Sequence, residues 1–120
     1  MGKRGVKEGL EFAILTDEIT HAWTGLTTKQ YKNLKGLKKE NLRDNMTNLE
    51  LVLNMLAETA TTEISQKREP KIFQENRKVA REGGTVAGNA RKEIESKTGK
   101  RIITGHNFKS VSEQKKLKNN

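Results

Sequence analysis

The sequence predicts an all-α protein, a compact bundle of about five to six short helices with one longer central helix and a frayed, basic carboxy-terminus. Three observations lead there. Apolar residues recur at three-to-four spacing, glycine and proline fall at intervals of helical length, and almost nothing alternates with the period of a strand. The 120 residues fit one domain, and 32% apolar and 4% aromatic residues are enough for a modest core but not for a deep enzyme cavity. The expected organisation is a flexible amino-terminus over 1–9, a single helical domain over 10–104 and a basic, partly disordered tail over 105–120.

The first helix is expected from Leu10 to Trp23, where Phe12, Leu15, Ile19, Ala22 and Trp23 mark one face and Gly25 suits the end. Thr27 and Gln30 have capping-box spacing, which predicts a short helix from Thr28 to Leu34 stopped by Gly36. Another short helix is expected over Lys38 to Asn45. Thr47 and Glu50 repeat the capping box ahead of the apolar stripe Leu49, Val52, Leu53, Leu56, Ala60 and Ile64, so the long helix starts there. Pro70 is expected to open the next helix, Gly83-Gly84 to stop it, and Val86 to Lys97 to form another that ends at Gly99. Arg101 to Thr104 reads as extended, and Ser110 with Glu113 as the cap of a last helical turn.

Charge is the strongest signal in the chain. The net charge is +9, and the excess comes in blocks: Lys29 to Arg43 carries six bases against one acid, while residues 44–66 contain no base at all. A surface made only for solubility intersperses the two signs, so this segregation points to an anionic partner. DNA leads, in a strand form left open, because each cation that neutralises a phosphate releases a condensed counterion. The expected contacts are Lys29, Lys32, Lys35, Lys38, Lys39 and Arg43 in a first patch, and Arg77, Lys78, Arg81, Arg91, Lys92, Lys100 and Arg101 in a second. Tyr31 is the only aromatic within the first patch and Phe108 lies beyond the second, so base stacking is expected to be limited.

No catalytic centre is expected. Asp17 and His21 share a helical face as a base and its orienting carboxylate would, but no third group converges on them, and His106 is isolated. No cofactor and no metal are expected: cysteine is absent, which removes disulfides and thiolate sites, and Gly83, Gly84 and Gly88 lack the Lys-Ser/Thr ending of a phosphate loop. Read as structure, Gly83-Gly84 is a tight turn, and Gly88 with Ala87 and Ala90 admits a close backbone neighbour. A weaker reading makes the turn part of a helix-turn-helix, with Asn89, Arg91 and Lys92 facing bases or phosphates. No apolar run approaches membrane-spanning length and no signal peptide is evident, so a cytoplasmic protein without a membrane partner is expected. The stripe of Leu49, Leu53, Met55 and Leu56 is expected in the core, with homodimerisation through it as the alternative.

Phe12-Ala13-Ile14, Gly25-Leu26, Lys35-Gly36-Leu37-Lys38-Lys39, Met46, Glu50-Leu51, Asn54, Thr59, Thr61 and Glu63 resemble, in order and spacing, the carboxy-terminal region of bacterial DNA-damage-inducible protein D. Gly83-Gly84, Ala87, Ala90-Arg91, Thr98-Gly99 and Asn107 are more loosely similar to the same region in related prophage and mobile-element proteins. The resemblance implies a bacterial cytoplasmic protein of the damage response that acts on DNA or on the recombinase filament, with no known catalytic centre. It also implies an amino-terminal antirepressor-type domain for which this chain has no room. The combined expectation is a non-enzymatic module that binds DNA or a DNA-bound recombinase filament through basic surfaces and modulates repair. The alternative is a protein-interaction or dimerisation module of a mobile-element or phage regulator.

Overall fold

Four α-helices and one 3-10 turn, with no strand, make up the described residues. The structure is a computed structural model that describes the backbone of residues 2–105 and the side chains from Gly9 to Gly105. The expected cap at Ser110 and Glu113, His106, Phe108 and most of the basic tail lie outside the described residues.

The first helix, α1, spans Gly2–Thr24, so the segment expected as a flexible lead before Leu10 is helical. It ends where Gly25 turns left-handed at φ 79 and donates its N–H to the His21 carbonyl at 2.9 Å. Helix α2, Thr28–Leu34, opens on the reciprocal capping box of Thr27 and Gln30. It closes on Gly36 at φ 73, with the Leu37 N–H donating to the Lys32 carbonyl at 2.9 Å. The helix expected over 38–45 is reduced to the 3-10 turn Arg43–Asn45. Helix α3, Asn48–Arg68, begins with the predicted Thr47 and Glu50 box and ends at Glu69, the one described non-glycine residue with positive φ.

Helix α4 differs most from expectation. It runs unbroken over Phe73–Thr98, straight through Gly83 and Gly84, and Pro70 sits in the connection before it. Two glycines in a helix interior cost about 1 kcal/mol each against alanine, so helix propensity favours a break there. Packing overrides it. Ala80, Gly83, Gly84, Ala87 and Gly88 recur at three-to-four spacing and are all buried, forming a side-chain-poor seam into which two neighbouring backbones fit. A Cβ on Gly83 would lie 2.6 Å from the Thr61 Cα, and one on Gly84 would lie 2.6 Å from the Ile19 carbonyl oxygen. A Cβ on Gly88 would lie 2.9 Å from the Ala22 carbonyl oxygen, as the close-approach reading of that glycine anticipates. The tight turn and the helix-turn-helix are therefore both absent.

Helix α4 thus lies between α1 and α3, which touch one another less. Glu18 meets Arg77 and Arg81, Ala22 faces Gly84, and the Trp23 carbonyl meets Arg91, so α1 and α4 run parallel. The short 69–72 connection makes α3 and α4 antiparallel. Trp23, Tyr31, Leu37, Leu42, Met46, Leu53, Ala57, Ala87 and Ile102 form one core cluster, which gathers α2, the 35–46 loop and the 99–105 segment at one end of the bundle. Trp23 and Tyr31 meet edge to face with ring centroids 6.2 Å apart. The α3 stripe is split: Leu53 and Ala57 are buried, whereas Leu49, Val52, Met55 and Leu56 are exposed.

Candidate nucleic-acid interface

The basic residues singled out by the sequence separate into cations that hold the fold and cations that face outward. Lys35 belongs to the first group. Helix α2 ends at Leu34 and the chain turns inward at Lys35, which is 3% exposed and forms a fully buried ion pair with Glu50 of α3. The same carboxylate accepts the Tyr31 hydroxyl and the Thr47 backbone N–H, the latter at 3.1 Å. Burial, together with the hydrogen bond to Glu50, pushes the Tyr31 hydroxyl far above its ordinary range. Lys35 is therefore removed from the expected phosphate contacts. A charge run on paper cannot show that one of its members turns inward to meet an acid fifteen positions away.

Arg77 and Arg81 converge on Glu18 at 2.6 and 3.1 Å, and their guanidinium groups hold its carboxyl below the usual range despite partial burial. Arg91 donates to the Trp23 carbonyl at 2.8 Å and pairs with Glu95, whose other oxygen accepts the Ile102 N–H at 2.9 Å. This arginine fastens α1, α4 and the 99–105 segment together and does not point to a groove. Arg43 pairs with Glu58 at 3.0 Å on an exposed surface. Lys78 follows Arg77 on α4 and is exposed.

Lys29, Lys38, Lys39, Lys92, Lys100 and Arg101 are exposed, Lys32 is half-buried, and none of them forms an ion pair within the described residues. Their positions follow from the core. Leu37 and Ile102 are buried in the same cluster, and a Cβ on Gly105 would lie 3.2 Å from the Leu34 carbonyl oxygen. Lys38-Lys39 and Lys100-Arg101, about sixty residues apart in sequence, are thereby carried to the same end of the bundle. Glu40 and Asp44 are the acids of the 35–46 loop, and the Glu40 carboxyl is held below the usual range chiefly by the Lys38 N–H, which donates to it at 2.6 Å.

Beside this end lies a cleft of about 510 Å³ between α1, the start of α2, the 41–46 loop and α3. Its walls include Phe12, Ile19, Leu42 and Met46, with Lys32, Arg43, Asn54 and Glu58 at polar positions. The Trp23 indole N–H donates to Asn54 at 3.3 Å, and the Asn54 amide donates to Glu58 at 2.7 Å, so the polar lining is tied to the core. Sequence reasoning missed this cleft because it placed Phe12 on the buried face of α1, whereas Phe12 is 73% exposed. The spacing of Phe12, Thr16 and Thr20 at intervals of four is the signal that marks the lining face of α1.

Asp17 does not orient His21. Its carboxylate accepts the Thr28 N–H at 2.8 Å at the start of α2, while His21 is exposed. No group of three or more His, Cys, Asp or Glu residues that could hold a metal occurs within the described residues. No helix of the described residues is long and apolar enough to cross a membrane. Comparison with protein-family models, with curated proteins and with solved structures finds no match to this chain.

Proposed function

We propose that this chain is a non-enzymatic module that binds DNA, or a DNA-bound recombinase filament, through the cationic end formed by α2, the 35–46 loop and the 99–105 segment. The supporting observation is the convergence of Lys38-Lys39 with Lys100-Arg101 around the core that holds Leu37 and Ile102. Lys29 and Lys32 on α2 extend that surface, and the resemblance to DNA-damage-inducible protein D supplies the setting of bacterial damage repair. The footprint is smaller than the charge of the sequence implies, since Lys35, Arg43, Arg77, Arg81 and Arg91 have acidic partners inside the protein. Binding through the remaining cations is a counterion-release reaction and must weaken steeply with salt. A salt series on labelled single-stranded and duplex DNA, with and without recombinase filament, tests it. The expected result is a log–log slope of about −0.7 to −0.9 per neutralised phosphate. A flat salt response or no binding refutes the proposal.

The exposed stripe of Leu49, Val52, Met55 and Leu56 on α3 favours a second reading, a protein-interaction or dimerisation module without DNA contact. Apolar side chains on one exposed helical face suit a partner helix. Self-association that ignores salt, measured by sedimentation, would select this reading over the first.

A further inference from the structure

We infer that the cleft beside α2 seats one unstacked nucleobase together with its phosphate. This rests on the nucleic-acid reading above and specifies its ligand. Five observations converge. The cleft's volume, about 510 Å³, falls within the ~300–1,000 Å³ range of small-molecule sites. Phe12 stands at this cleft 73% exposed, in a chain whose aromatic content is only 4% and whose Trp23 and Tyr31 are fully buried. It is thus the described aromatic most able to stack on a planar ligand.

Third, the polar lining offers both halves of a base edge's hydrogen-bonding pattern. Thr61 and Thr62 donate their hydroxyl protons to the Ala57 and Glu58 carbonyls at 2.8 and 3.0 Å, so toward a ligand their oxygens can only accept. The guanidinium N–H groups of Arg43 that Glu58 does not engage supply donors. Fourth, Lys32 lines the cleft half-buried and with no ion pair within the described residues, which suits a phosphate at the mouth. Fifth, the cations continue past the cleft. Lys29 adjoins the lining residue Thr28, and Lys38 and Lys39 precede the lining residue Asn41. A lone small anion has no use for that extended track, whereas a strand of phosphates does. Stacking therefore falls to Phe12 and not to the basic patch, where Tyr31 is enclosed.

The full-length chain is titrated with a dodecamer of deoxyadenosine, with a dodecamer of abasic sites carrying the same phosphates, and with deoxyadenosine monophosphate, read by Trp23 fluorescence and by anisotropy of labelled strands. The wild type is expected to bind the base-bearing strand about tenfold or more tighter than the abasic one. F12A, whose side chain is largely outside the core, is expected to stay folded by circular dichroism and to lose that preference while keeping its affinity for the abasic strand. Binding of the monophosphate that is likewise abolished in F12A supports the seat and assigns it to a free nucleotide as well as to a strand. Equal, salt-sensitive binding of both strands by the wild type overturns the base seat and leaves the phosphate reading standing. Failure to bind any of these probes overturns the base seat, and the salt series on duplex DNA and filament then decides the phosphate reading separately. A preference for bases that persists undiminished in folded F12A overturns the role of this cleft.

Discussion

At the scale of single residues, the decisive one is Lys35. A lysine and a glutamate taken out of water together lose several kcal/mol of hydration each, which their attraction and hydrogen bonds must offset. Here the Tyr31 hydroxyl and the Thr47 N–H complete the shell of Glu50, so the pair is well satisfied. Removing one member is then costly. K35M is expected to lower unfolding free energy by roughly 3–5 kcal/mol, because the Glu50 carboxylate stays buried without its counter-charge. K35M/E50M should recover part of that loss. Urea denaturation of both variants checks this, and a K35M protein as stable as the parent would contradict the buried pair. The position also shows a limit of reading charge from sequence: Lys35 lies within a run of lysines and is indistinguishable from Lys38 or Lys39 by composition. Only the meeting of α2 with α3 sets it apart.

At the scale of elements, the capping boxes and three of the glycine stops hold, whereas the breaks and starts that packing can override do not. Both capping boxes, the glycine stops at Gly25, Gly36 and Gly99, and the length of α2 follow the sequence, because hydrogen bonds between near neighbours decide them. The break expected at Gly83-Gly84 fails for the opposite reason. Those glycines serve α1 and α3, whose approach no local pattern reveals. G83A is expected to destabilise by about 1–3 kcal/mol, since the new methyl meets the α3 backbone and outweighs the helix propensity gained. G9A, at an open position of α1, is expected to stabilise by about 0.5–1 kcal/mol. Thermal melts of the two variants should therefore move in opposite directions. A G83A melt at or above the parent's would mean that the seam is loose.

At the scale of the whole molecule, the proposed cationic surface depends on the core, which brings the segments carrying two distant basic dipeptides to one end of the bundle. K38E/K39E and K100E/R101E are each expected to weaken DNA binding and to flatten its salt slope by about one unit for every phosphate no longer neutralised. R77E/R81E, which disturbs residues paired with Glu18, should change stability more than the slope. Equal slopes for all three folded variants would show that no common footprint exists. The all-helical class was legible because three-to-four spacing and punctuation are local properties. The supply of free cations was not, since five of the thirteen expected at phosphates, Lys35, Arg43, Arg77, Arg81 and Arg91, are paired with acids within the protein. The Glu50 carboxylate has one more effect. It serves both as the start signal of α3 and as the anchor for the end of α2, so lifting α2 away would leave the carboxylate that caps α3 without its hydroxyl and ammonium partners. A macromolecule that tugs on the lysines of α2 therefore also pulls, through a single side chain, on the opening turn of its neighbour.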